Sequence, residues 1–258
     1  MFESSSLASV VCNETWKADD NTPLALFHEK FWGKSMKDEE SEWRKSQIRT
    51  DQDQDETTNQ EEITDMDDDI IPGCYALDIS IPRMPVSHLW IRADYIRVFN
   101  FFQAFYDKHA KPMAKVPSGV LTGQPGIGKS SYCFISIVLK SVWSGKSVWI
   151  YYAARRCAGE MKPFIWFYKA KYYLFVNEGV YKLPDDWSHD DFLCFVWTLV
   201  DSDQCQEGVP PKLIPHGTLL FVIYATSPAV ERWSRMNKTT RRVVVIMNPW
   251  GRKEMKRA

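Results

Sequence analysis

The chain has 258 residues, 45% hydrophobic, 14% aromatic and 25% charged, with a net charge of −1. That apolar content excludes a wholly disordered chain, and the length suits one sizeable domain with an appendage, or two small ones. The six Cys are scattered, without a C-x-x-C pair or zinc-type His spacing, which argues against a disulfide framework or a structural zinc site and for reduced thiols.

The near-zero net charge hides an asymmetry. Asp51 to Asp69 holds ten carboxylates and no Lys or Arg, whereas Arg232 to Ala258 holds nine basic residues against one Glu. Met1 to Cys12 lacks the basic start of a signal peptide, and no apolar stretch approaches the roughly 18–20 residues of a membrane span. The expected setting is soluble and intracellular, cytoplasmic or nuclear, with no membrane partner.

Residues 1–70 read as a largely disordered, acidic N-terminal segment. Isolated aromatics (Trp16, Phe27, Phe31, Trp32, Trp43) precede a polar tract too poor in apolar residues to offset the entropy of ordering. Residues 71–258 form the expected domain. In Tyr95–His109 the apolar positions Tyr95, Ile96, Phe99, Phe102, Phe105 and Tyr106 recur at helical spacing. Val116–Leu121 reads as a strand, Lys129–Val142 as a helix and Ser147–Ala153 as a strand. Lys171–Val176 and Val180–Leu183, separated by Asn177-Glu178-Gly179, form an expected β-hairpin. Phe192–Val200, Leu219–Ala225 and Val243–Met247 are continuous apolar runs, as parallel strands buried on both faces require. The expected fold class is α/β: three layers with a mostly parallel sheet.

Between the first strand and its helix lies Gly123-Gln124-Pro125-Gly126-Ile127-Gly128-Lys129-Ser130, the full G-x-x-x-x-G-K-[S/T] pattern of a phosphate-binding loop. Glycines let backbone N–H groups wrap an anion, and the helix that follows adds its positive N-terminal end. Gly123 to Ser131 would cradle the phosphates, Lys129 would neutralise their charge, and Ser130 would ligate Mg²⁺. Asp201 closes the apolar run Phe192–Val200 and is the candidate second Mg²⁺ ligand, at the strand edge where α/β sheets bind ligands. Ser202 stands where many ATPases carry a catalytic Glu, so Asp203 is the nearest candidate base, with Glu178 and Glu160 weaker. Thr226 and Ser227, at the end of the Leu219–Ala225 run, are candidate γ-phosphate contacts. Arg232, Arg235, Lys238, Arg241 and Arg242 include candidates for an arginine finger.

The ordered set Gly123–Ser130, Val196-Trp197-Thr198-Leu199-Val200-Asp201-Ser202, Ala225-Thr226-Ser227-Pro228, Arg232-Trp233 and Ile246-Met247-Asn248-Pro249-Trp250 resembles the Crinkler and retrotransposon-hotspot group of P-loop NTPases, an AAA+/STAND-like branch. The resemblance covers roughly residues 75–255 and implies an ATPase module with ATP as its nucleotide. Relatives continue past the position of Trp250, so a C-terminal truncation is expected. The expected activity is Mg²⁺-dependent ATP binding with slow hydrolysis to ADP and phosphate. A non-hydrolysing nucleotide-binding module or truncated remnant stands as the alternative. Trp233 and Trp250, among the basic residues of the C-terminal stretch, leave nucleic acid as a further partner.

Overall fold

The computed structural model describes residues 6–12, 16–37, 75–78, 88–111, 115–123, 145–205 and 207–249. In chain order these contain α1 (Leu7–Val10), α2 (Pro23–Phe31), β1 (Tyr75–Asp78), β2 (His88–Ile91), α3 (Ala93–His109), β3 (Pro117–Thr122), α4 (Gly145–Gly159), β4 (Phe164–Tyr168), β5 (Lys171–Val176), β6 (Gly179–Lys182), β7 (Val196–Asp201), β8 (Leu220–Ala225), α5 (Met236–Thr239) and β9 (Arg241–Ile246). β1 and β2 make a separate antiparallel ribbon. The other seven strands form one sheet in the order β6-β5-β4-β7-β8-β3-β9. β4, β7, β8, β3 and β9 run parallel, and the β5–β6 hairpin adds two antiparallel strands at one edge. The fold is α/β with a mostly parallel sheet. Among the described residues no helix is long and apolar enough to cross a membrane.

Strand side chains alternate between two buried faces, the period-2 consequence of the pleat. Phe164, Trp166, Phe175, Trp197, Leu199, Phe221 and Ile223 face the layer of α2, α3 and α4. Ile165, Leu174, Val196, Val200, Leu220, Val222 and Tyr224 face the other side, closed by α1, Trp16, Trp187, Phe192, Leu213 and Trp233. With both faces covered, β4 and β8 are apolar at every position and β7 at all but Thr198 and Asp201, the pattern that reads as a buried strand.

Two expectations change. Ser147–Ala153, expected as a strand, lies inside helix α4. The run Val148-Trp149-Ile150-Tyr151-Tyr152 is β-favouring, but Ala153-Ala154-Arg155-Arg156 extends it with strong helix formers. Residues 146–155 are all buried, and a helix buried all round shows no periodicity to separate it from a buried strand. The helix expected over Lys129–Val142 lies outside the described residues.

The second change concerns the N-terminal segment. Residues 6–12 and 16–37 pack on the domain instead of standing apart from it. Phe27 is fully buried, with Trp166 and Phe175 at edge-on ring distances of 5.9 and 6.1 Å. Gly33 N–H donates to Ala158 O (2.9 Å), and Arg155 stacks over Phe31 at 4.2 Å while donating to Lys34 O. Bridges Val11–Phe192 and Ala18–Tyr181 tie the rest to the hairpin side. A few large aromatics thus anchor a segment whose average composition is polar. The acidic tract 51–69 lies outside the described residues.

α3 crosses the sheet beside β3, and its register depends on one absent side chain. A Cβ on Gly119 would lie 2.4 Å from Cε1 of Phe102, a fully buried ring. Gly119→Ala is therefore expected to cost roughly 1–3 kcal/mol through overpacking. Urea denaturation measures it, and adding Phe102→Leu should restore part of the loss. An unchanged midpoint in the single variant would contradict this close approach.

Candidate functional site

The parallel strands place their carboxyl ends at one edge, and β3 marks the reversal of strand order there. From β3 the chain passes through α4 to β4, beyond β8 and β7, whereas β9 lies on the opposite flank of β3. A crevice opens outside the strand ends at such a reversal. Thr226 N–H donates to Leu121 O (2.9 Å) and Met247 N–H to Thr122 O (2.7 Å), so the segments after β8 and β9 extend the ladder around the end of β3.

Asp201 ends β7 on the side chain's α4-facing turn of the pleat and is only 8% exposed. Its Oδ1 accepts the Asp203 N–H at 3.1 Å, closing the 3-10 turn Ser202–Gln204. The first turn of α4 meets this turn: Ser147 Oγ donates to Asp203 Oδ2 at 3.2 Å and also bonds the Asp201 carboxylate. Burial pushes the Asp201 carboxyl up to about 6, against the Ser147 and Asp203 hydrogen bonds and the Lys146 charge, which favour the ionised form.

Lys146 precedes Ser147 on α4 and is 5% exposed. Among the described residues its ammonium forms no ion pair, and its one hydrogen bond is a long 3.5 Å contact to Gly123 O. Burial lowers its pKa, while Asp203 and Asp201 pull the other way. The arrangement is a buried cation beside two carboxylates, Asp201 and Asp203.

The structure brings Gly123, Asp201 and Asp203 of the expected site together. Gln124, Pro125, Gly126, Ile127, Gly128, Lys129, Ser130 and Ser131 lie outside the described residues. Thr226 is fully buried one residue beyond β8, where its hydroxyl interacts with the Tyr224 phenol, although neither oxygen meets full hydrogen-bond geometry. Ser227 is half-buried beside it. Among the basic residues after β8, Arg232 is felt electrostatically at Cys205 and Tyr224, while Arg242 stacks on Trp233 at 4.3 Å. The weaker base candidates have structural employment. Glu178 Oε2 accepts the Leu7 N–H at 2.9 Å, and Glu160 pairs with Arg156 and Lys162 at the far end of α4.

Lys146 and Ser147 were not among the expected site residues. A signal existed: Gly145-Lys146-Ser147 repeats the triplet Gly128-Lys129-Ser130. It lacks the glycine five positions ahead, where Lys140 stands, and the following run reads as strand. Asn248 and Pro249, part of the terminal motif, are held at the same edge. Asp94 accepts the Asn248 main-chain and side-chain N–H groups at 2.9 and 3.2 Å, and Arg92 donates to both carbonyls. Compared with known proteins, the chain matches no family model, no curated protein and no solved structure.

The Asp201 carboxyl titrates higher in the folded chain than in the unfolded one. Its stabilising contribution is therefore full below about pH 4 and is lost as pH rises through about 6. Asp201→Asn removes that titration. Relative to wild type, the variant should gain on the order of 2 kcal/mol between pH 4 and pH 7, on top of any constant offset. Urea denaturation across that range tests it, and a pH-independent difference would contradict the raised pKa.

Proposed function

We propose that the chain binds Mg²⁺·ATP at the carboxyl edge of its sheet and hydrolyses it slowly, as a P-loop NTPase module of the Crinkler or retrotransposon-hotspot kind. The observation that carries this reading is Lys146. A buried ammonium that, among the described residues, has no ion pair and one 3.5 Å carbonyl contact is under-satisfied, and an anionic ligand would complete it. Its single contact is to Gly123, the first residue of the sequence-defined phosphate loop. Lys146 thus links Gly123, at the end of β3, to the charges of Asp203 and Asp201 across β8.

In this reading the main chain of Gly123–Ser131 holds the phosphates, and Lys129 and Lys146 offset their charge. Thr226 and Ser227 stand at the neighbouring strand end, where a γ-phosphate contact is expected. The donor set suits Mg²⁺, which takes one or two carboxylates and leaves other positions to phosphate oxygens and water. Asp201 and a hydroxyl, Ser130 or Ser147, would hold it, and its charge would neutralise that building on the phosphates. Asp203 would orient the attacking water through its carboxylate.

Binding without turnover is the second reading, and one observation favours it. Ser202 occupies the position after Asp201, and the Asp203 carboxylate is already engaged by Ser147 within the 3-10 turn. A base tied in this way is less free to accept a proton from water.

Equilibrium binding of ATP with Mg²⁺, and phosphate release, test both. Lys129→Ala and Lys146→Ala are each expected to weaken Mg²⁺·ATP binding at least tenfold and to bring phosphate release to the uncatalysed level. A loss in Lys146→Ala alone would transfer the cradle to the second Gly-Lys-Ser triplet. Unchanged binding in both variants would overturn the proposal, and tight binding by wild type without phosphate release would establish the second reading.

A further inference from the structure

The opposite, amino edge of the sheet carries a different feature. A cleft of about 580 Å³ is lined by Lys108, His109, Lys111, Lys115, Thr240 and Arg241. α3 ends there, and β3 and β9 begin there, so three elements converge with their basic residues. Lys108, Lys111, Lys115 and Arg241 are exposed, and among the described residues none of them forms an ion pair. Asp107, next to Lys108 in the sequence, accepts a 2.7 Å hydrogen bond from Gln103. Desolvation first, and then the charges of Arg241, Lys108 and Lys111, lower the pKa of His109. Below, Thr240 Oγ1 shares a 2.6 Å hydrogen bond with Ser118 Oγ and donates to Met236 O, so the floor is rigid and polar.

A helix C-terminus attracts cations, which accounts for Lys108 and His109. It does not account for Lys111, Lys115 and Arg241, which lie beyond the helix on other segments. Nor does it account for the aromatic stripe that runs into the cleft. Phe101, Phe105 and His109 are spaced four apart along one line of α3. Phe101 is 42% exposed, Phe105 is partly exposed, and the His109 ring meets Phe105 edge-on at 4.6 Å. The stripe covers about 12 Å of helix. Unpaired cations beside a row of half-exposed rings match a strand whose phosphates and bases need separate partners.

We propose that this cleft and the α3 stripe form a binding surface for single-stranded nucleic acid. Backbone phosphates sit among Lys108, Lys111, Lys115 and Arg241, and bases lie against Phe105 and Phe101. Lys238, exposed on α5 two residues before Thr240, extends the basic surface. The site is independent of the nucleotide proposal, being at the other end of the strands.

The test is fluorescence anisotropy of the full chain with a labelled 15-nucleotide oligothymidine, without Mg²⁺ or ATP, over a salt series. Wild type should bind at low salt, with affinity falling steeply as salt rises. The triple variant Lys111→Gln, Lys115→Gln, Arg241→Gln changes only exposed residues and should retain the wild-type melting temperature. It is expected to bind at least tenfold more weakly and with a shallower salt slope. Phe105→Leu should weaken binding several-fold and leave the slope unchanged. Absence of wild-type binding at low salt would overturn the proposal. So would undiminished binding by the triple variant, which would move the interaction to the basic C-terminal stretch. Equal competition by polyglutamate or by inorganic triphosphate would also overturn it, assigning the cleft to acidic protein segments or to small anions.

Discussion

A carboxylate buried at the end of a parallel strand must be answered by donors or charge, and in this chain Asp201 sets that requirement. Both faces of the sheet are covered, so β7 delivers its terminal side chain into protein, not water. The answering groups come from two directions: the Asp203 N–H from the turn that follows, and Ser147 with Lys146 from the first turn of α4. α4 can stand there because its apolar residues from Val148 to Ala154 are enclosed among the sheet, α2 and α3. The N-terminal aromatics Phe27 and Phe31 complete that enclosure. Core packing and site electrostatics are in this sense one problem: loosening α2 or α3 would also wet Asp201.

The two edges of the sheet are chemically distinct, and α3 connects them. Its start anchors the carboxyl edge, where Arg92 and Asp94 grip Asn248 and Pro249. Its end contributes Lys108 and His109 to the basic amino edge. Gly119 fixes the distance between this helix and β3, because Phe102 occupies the volume a larger residue would need.

Much of this was legible in the sequence. Continuous apolar runs identified β7, β8 and β9, the Asn177-Glu178-Gly179 turn identified the hairpin, and the spacing of Tyr95 to Tyr106 identified α3. Asp201 was legible as a strand-terminal acid, since a charged residue closing an apolar run has few other places to go. Two things were hidden. In α4, complete burial erases the helical period, so Val148 to Tyr152 favour the wrong element and conceal Lys146 and Ser147 in the site. In the N-terminal segment, a handful of aromatics holds down a polar stretch, and composition averages miss so few contacts. The Arg92–Asp94 grip on Asn248 joins residues more than 150 positions apart. No local pattern encodes it.

The most direct measurement of the central claim is the titration of the Asp201 carboxyl by carbon-detected NMR, in the free protein and with Mg²⁺·ATP. The account predicts a value near 6 in the free chain, reflecting burial, and a fall well below that once a cation and phosphates occupy the edge. An ordinary aspartate titration in the free protein, unmoved by Mg²⁺·ATP, would contradict it.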